Sequence, residues 1–286
     1  MGQPGTILES VARRLERGEI ELPVFDDVAM RLWRLSRDPE ADGETLANAL
    51  AQDPGLVAEV LRIASSSFFG GLPEGATLLQ AIVRLGSRQL GAISLSAGYR
   101  RLYEDLREPF RSRMNELWRA SVTRADIAFL TARRAGLTAH REEAYVAALL
   151  LELGRISLLC VLEDVSRDTA IEPDAEEVER FLDELRLRYG EELIERWGLP
   201  ESVAELVRTQ DVWVAEEASP LACIVSLSRE STRVVSEKPT SDVETLIGAR
   251  WEFSRLGLDE EDAEVLAEAS VEAWRRHGRS VGGAVY

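Results

Sequence analysis

The chain has 286 residues, 45% hydrophobic and 30% charged, enough apolar material for a substantial core in one large unit or two smaller ones. Its formal net charge of -17 disfavours approach to a nucleic acid, because a polyanion meets long-range repulsion. The most hydrophobic stretch, 144–162, is interrupted by Glu152 and Arg155, so no run is read as reaching the roughly 18 to 20 residues that span a bilayer. The first residues also lack the apolar stretch of a signal peptide, so the expected compartment is the cytoplasm, with no membrane partner.

Helical periodicity recurs along the chain and alternating β-branched runs do not, so the predicted class is all-α. A first amphipathic helix runs from Thr6 to Arg17, with Ile7, Val11 and Leu15 on one side, and Leu22-Pro23 breaks it. A second passes through Val28, Leu32 and Leu35 and ends at Asp38-Pro39. Asp42 is placed to cap the next helix and Asp53 the one after, with Pro54 at its first position. Ser65, Ser66 and Ser67 are suited to closing that helix by side-chain to backbone hydrogen bonds. Thr77 to Leu85 forms another helix, closed by Gly86, and Gln89 to Leu106 follows. Glu108-Pro109 marks a junction between two lobes.

Beyond the junction the elements lengthen. Phe110 to Ala135 reads as one helix ending at Gly136. Glu142 to Leu162 reads as a second, apolar almost all round and therefore central to its lobe. Residues 164–174 read as a loop. Helices are expected over 175–188, 191–197, 200–209 and 221–231. A last one runs from Asp259 to His277, and the tail 278–286 is expected to fray. The resulting segments are an N-terminal helix (1–19), a helical lobe (20–108) and a second helical lobe with the C-terminal helix (109–286).

Few residues suit chemistry. Cys160 and Cys223 lie in apolar helical runs and read as small buried hydrophobes. Metal-dependent hydrolysis in a helical bundle needs several histidines and an aspartate, and this chain has two histidines. His140 and His277 are distant in sequence and fit no metal-ligand spacing, so each reads as a surface or capping residue. No phosphate-binding glycine loop or nucleophile motif is present. The expectation is therefore no catalytic residue, no metal and no cofactor. Glu152 is the one carboxylate set in an apolar helix, and Arg155, three residues on, is its expected partner. Arginines concentrate between Arg84 and Arg134 and read as solvated faces with local partners such as Arg100–Glu104.

Several stretches together resemble the HDOD family, the HD-related output domains of bacterial signal transduction. Leu22-Pro23 and its helix to Asp38-Pro39 look like the family's opening. Residues 53–70 resemble its Asp-Pro helix and aromatic-glycine turn, with Ala64-Ser65-Ser66 where Ala-Asn-Ser is usual. Residues 78–95 resemble the pair that follows. The second lobe is similar to the HD phosphohydrolase part of the family, but Leu151-Glu152 stand where relatives often carry His-Asp. Thr209-Gln210 stand where they often carry His-His. The resemblance implies an N-terminal helical lobe joined to a degenerate HD-like lobe. It also implies a non-catalytic adaptor working through protein partners in a signalling pathway. The alternative it leaves is a metal-free sensor of a nucleotide or cyclic dinucleotide, held by the arginine-rich middle. Residual phosphohydrolase activity and helix-turn-helix binding to DNA rank below both. The candidate partner or ligand surface is Ser66, Phe68, Phe69 and Gly70 with Arg84 and Arg88.

Overall fold

The computed structural model describes residues 7–20, 22, 26–65, 72–73, 75–101, 106–169, 173–213, 218–237 and 243–282. Among them every regular element is helical, as the periodicity predicts. The chain divides into two compact units, Val24–Glu104 and Met1–Pro23 with Asp105–Tyr286.

The smaller unit holds α2 (Asp27–Leu35), α3 (Gly43–Leu50), α4 (Pro54–Ala64), α5 (Leu78–Leu85) and α6 (Ser87–Arg101). Local chemistry sets its helix starts. Asp26, Asp42 and Asp53 each accept a hydrogen bond from a first-turn amide, those of Ala29, Thr45 and Leu56, answering donors that a helix leaves unpaired. Thr77 and Gln80 form a reciprocal capping box at α5. Gly86 ends that helix at a φ of 81°, a conformation other residues resist. Ser65 donates to the Leu61 carbonyl and closes α4 as expected, whereas Ser66 and Ser67 lie outside the described residues. Leu32, Leu46, Leu50, Leu56, Val60, Ile82, Leu90 and Ile93 bury one another in the core between these helices.

At the end of α6, Arg101 reaches back to two of those caps. Its Nη1 donates to Asp26 at 2.7 Å and its Nη2 to Asp53 at 2.8 Å, with a further short contact between Nη1 and Asp53. One guanidinium thus ties the starts of α2 and α4 to the end of α6. It holds the Asp53 carboxyl down to about 2, against the opposing effect of burial and with help from the Leu56 amide.

The larger unit contains α1 (Ile7–Glu16), α7 (Phe110–Arg134), α8 (Arg141–Leu150), α9 (Leu153–Thr169), α10 (Ala175–Arg196), α11 (Glu201–Thr209), α12 (Pro220–Glu237), α13 (Val243–Gly248), α14 (Trp251–Arg255) and α15 (Glu260–Gly282). Segment 1–19, read from sequence as a separate N-terminal helix, lies in this unit, where α1 packs on α9 and α10. Cys160 and Cys223 are buried thiols, and burial pushes the Cys160 thiol up to about 12.

Several sequence expectations are corrected here. The apolar helix expected over 142–162 is two helices, α8 and α9, separated by a turn at Leu151-Glu152. The loop expected from Asp164 is helical to Thr169. The break expected at Gly190 is absent, and α10 runs unbroken to Arg196. The reason is packing. A side chain at Gly154 would strike the Arg186 carbonyl oxygen at 1.8 Å and the Gly190 amide at 2.7 Å. Gly190 serves the close crossing of α9 and α10, and it does not end a helix. α13 and α14 were not read from the sequence, and α15 continues past His277 to Gly282. The span Thr138–Thr169 also holds an 18-residue window apolar enough by composition to cross a membrane, but 89% of that window is buried inside the fold. Two interrupting charges do not outweigh the hydropathy of paired core helices.

Candidate functional site

The substituted positions meet at the turn between α8 and α9. Leu151 is buried and its backbone carbonyl accepts a hydrogen bond from the Gln210 amide Nε2 at 3.0 Å. The same nitrogen donates to the Val207 carbonyl at 3.0 Å, and the Gln210 carbonyl accepts from Arg229 Nη1 at 2.8 Å. Gln210 therefore fastens the end of α11 to the α8–α9 turn. It is 2% exposed, so its polar atoms depend on these partners. Thr209 does not join the cluster. It is half-buried, donates to the Glu205 carbonyl and accepts from the Trp213 indole.

Glu152 faces two arginines. Arg155 Nε lies 3.5 Å from Oε2, the pairing expected from the i,i+3 spacing, and Arg124 Nη1 lies 3.8 Å from Oε1. Arg124 is buried in α7, where it donates to the Ala148 carbonyl at 2.9 Å and to Ser121 at 3.2 Å. Arg155 extends the network to Glu179 at 2.7 Å and to Asp183, while Arg186 pairs with Asp211 at 2.5 Å. Burial works against the Arg186 charge, but the Asp211 hydrogen bond and the charge of Glu152 outweigh it and raise its pKa.

These residues do not fit a divalent metal. The Leu151 side chain has no donor atom, and its backbone carbonyl is taken by Gln210. Both Glu152 oxygens face guanidinium groups, and Gln210 turns its NH2 toward carbonyls. Among the described residues no three His, Cys, Asp or Glu side chains group closely enough to hold an ion. His140 is exposed and lies 3.6 Å from Glu143. His277 departs from the surface reading. Its Nε2 sits 2.8 Å from Asp126, which also pairs with Arg276 at 2.5 Å, so the His277 ring joins α15 to α7.

Other arginines join helices too. In the arginine-rich stretch 84–134, Arg107 pairs with Glu163, Arg113 with Glu179 and Arg134 with Asp262, each on a different helix or segment, while Arg111–Glu108 is local. Expected local pairing gives way because long side chains reach carboxylates across the packed bundle; Glu104 of the expected Arg100 pair lies outside the described residues. Arg84 and Arg88 are exposed, on the last turn of α5 and the first of α6, whereas Ser66, Phe68, Phe69 and Gly70 lie outside the described residues. Sequence reading missed Arg124 as the second partner of Glu152. Its one signal is a lone charge in a helix face otherwise made of Ser121, Val122, Ala125 and Ala128.

Replacing Gln210 with Leu removes the only side-chain donor to the Leu151 carbonyl among the described residues. The expected cost is about 1–3 kcal/mol, the usual range for an orphaned buried acceptor. Urea unfolding checks it through a lower midpoint at unchanged slope. Unaltered stability would show that the Gln210 bonds are not holding the joint.

Comparison with known proteins identifies the family and the fold. The HDOD domain family matches residues 22–212. An HDOD domain protein of unknown function from Geobacter sulfurreducens shares the fold at a TM-score of 0.71 and 21% identity, over 95% of this chain and 97% of its own. A protein from Shewanella amazonensis SB2B that carries the name of a metal-dependent phosphohydrolase matches at a TM-score of 0.74 and 18% identity, over 95% and 97%. One from Marinobacter aquaeolei VT8, carrying the name of a signal transduction protein, matches at 0.63 and 21%, over 96% of this chain and 64% of its own. An uncharacterized protein of Treponema pallidum (strain Nichols) is 22% identical over 241 residues, 81% of this chain, which spans 45% of that relative's length. With two thirds of its length under the family's pattern and its fold shared with a solved member, the chain belongs to the HDOD domain family.

Proposed function

We propose that the chain is a signalling adaptor that works through protein contacts and performs no chemistry of its own. The observation that carries this reading is the use made of the substituted positions. Where a phosphohydrolase would present metal ligands, Glu152 is committed to Arg155 and Arg124, and Gln210 to the Leu151 and Val207 carbonyls. A centre converted into a joint stiffens the larger unit and leaves recognition to surfaces. The name of the Marinobacter relative, a signal transduction protein, supports the same reading, as does the role that the HDOD resemblance implies.

The smaller unit supplies a surface suited to contact. On α5, Leu79 is 42% exposed and Val83 75%, four residues apart and so on one side of the helix, with exposed Arg84 beside them and Arg88 on the next helix. Large apolar side chains left in water next to arginines suit an interface more than a solvated face.

Affinity capture from the native cells tests this. The intact chain should retain a defined partner protein, Val83→Glu should release it, and Glu184→Gln, an exposed change on α10, should keep it. Both substitutions sit on exposed positions and should leave stability within about 0.5 kcal/mol. Equal capture of the same proteins by the intact chain and Val83→Glu would contradict the assignment of this surface.

A further inference from the structure

The larger unit carries an open cavity of about 540 Å3 walled by α7, α9, α10 and α15, with Arg113, Glu116, Arg119, Arg155, Glu179 and Trp274 among its lining residues. Its volume is in the range that takes small ligands. We propose that this cavity binds a small organic anion, a terminal carboxylate or phosphate on an apolar body, with Arg119 and Arg113 receiving the charge. This goes beyond the adaptor reading and does not depend on it.

The charge distribution carries the argument. Three arginines line the cavity against two glutamates. Arg155 is fully engaged by Glu152, Glu179 and Asp183. Among the described residues Arg113 pairs with Glu179 alone, at 2.8 Å, and shares it with Arg155. Arg119 is half-buried, and among the described residues no carboxylate lies within ion-pair distance of it. It is nevertheless held firmly. Its Nε and Nη2 donate to the Trp274 carbonyl at 2.9 and 2.7 Å, and its guanidinium carbon sits 3.7 Å from the Trp274 ring centre. Gly278 leaves room for it, since a Cβ there would meet the guanidinium at 2.6 Å. Nη1 is left without a hydrogen bond among the described residues.

A half-buried cation without a counter-charge is costly, and here burial lowers the Arg119 pKa with Glu116 only partly opposing it. A fold that positions such a group through two hydrogen bonds and a ring contact has prepared it for an anion. Guanidinium groups suit carboxylate and phosphate oxygens, and Arg113 and Arg119 both line this cavity. Leu117, Ala120 and Trp274 offer apolar surface for the remainder of the molecule. Glu116 is exposed, so its carboxylate is hydrated and weakens the positive potential without cancelling it.

Isothermal titration of the full chain with benzoate and with phenyl phosphate tests the proposal, with benzyl alcohol as the uncharged comparison. At least one of the two anions should bind and benzyl alcohol should not, and whichever binds more tightly identifies the terminal group. Arg113→Gln should weaken binding about tenfold, the loss of one charge-assisted hydrogen bond, and Arg119→Lys by a similar factor. Glu116→Gln should strengthen it. Arg119→Ala also removes the hold on α15, so the milder variants carry the test if it fails to fold. No heat from either anion at millimolar concentration would overturn the proposal. So would binding that Arg113→Gln, Arg119→Lys and Glu116→Gln all leave unchanged.

Discussion

Gly154→Ala is expected to destabilise the larger unit by about 3 kcal/mol or more, the upper end of what overpacking costs. In an isolated helix the same change would stabilise by about 1 kcal/mol, because alanine is the better helix former. The crossing reverses the sign. The new methyl would lie 1.8 Å from the Arg186 carbonyl oxygen and 2.7 Å from the Gly190 amide, the i and i+4 members of one turn of α10. Backbone cannot turn aside as a side chain can, so α9 and α10 must separate. That separation would loosen the Arg155 contacts with Glu179 and Asp183 that bridge the same two helices. Gly190→Ala makes a useful contrast. Its nearest obstacle is the Val207 methyl at 2.9 Å, with the Gly154 amide at 3.2 Å. Val207 is a side chain and can give more readily than backbone, but it is buried and stiff at χ1, so the expected cost is smaller than for Gly154→Ala and still about 1–3 kcal/mol. Urea unfolding of both variants checks the ordering, and a neutral Gly154→Ala would mean that the helices do not cross so closely.

Asp53→Asn should cost about 2 kcal/mol at pH 7 and almost nothing near pH 2. Asparagine caps a helix about as well as aspartate, so the Leu56 amide keeps its acceptor and only the charge facing Arg101 is lost. The magnitude follows from the carboxyl's fall from 3.8 to about 2, a shift of nearly two pH units at about 1.4 kcal/mol each. The sign follows from proton binding. A carboxyl whose folded pKa is depressed contributes fully above its unfolded value, and that contribution is lost as pH falls from about 4 toward about 2. The side chain is 15% exposed, so solvent screens the pair only in part. Denaturation of the intact chain and of Asp53→Asn at a series of acid pH values gives the test. Their stabilities should converge below pH 4, and parallel curves would show that the carboxylate charge is not what Arg101 holds.

What could be read from sequence divides by the range of the forces. The caps at Asp42 and Asp53 are settled within four residues by hydrogen bonds to first-turn amides, and both were legible, whereas Thr77 was read as the first residue of its helix and is its cap. The break at Leu151-Glu152 was not. Neither residue is a helix breaker, and the turn is tied down by Gln210, 59 positions away. Gly190 misled for the related reason that a glycine required by a neighbouring helix looks the same in sequence as one that ends its own. The arginines were assigned local partners because spacing shows only those, whereas Arg107, Arg113 and Arg134 reach carboxylates brought close by folding. At the candidate site, the substituted positions and the Glu152–Arg155 pair were visible beforehand, and the buried Arg124 was not. Its position opposite Glu152 depends on how α7 packs on α8.

Metal content tests the central claim most directly, namely that the Leu151–Glu152 turn and Gln210 form a structural joint in place of a metal centre. The full chain would be equilibrated with Mn2+, Fe2+ or Zn2+ under anaerobic conditions, dialysed and measured by plasma mass spectrometry beside Glu152→Gln. The account predicts no stoichiometric retention of any of them by either protein, and an unfolding midpoint that added metal does not raise. Retention of about one equivalent by the intact chain, lost in Glu152→Gln, would contradict it.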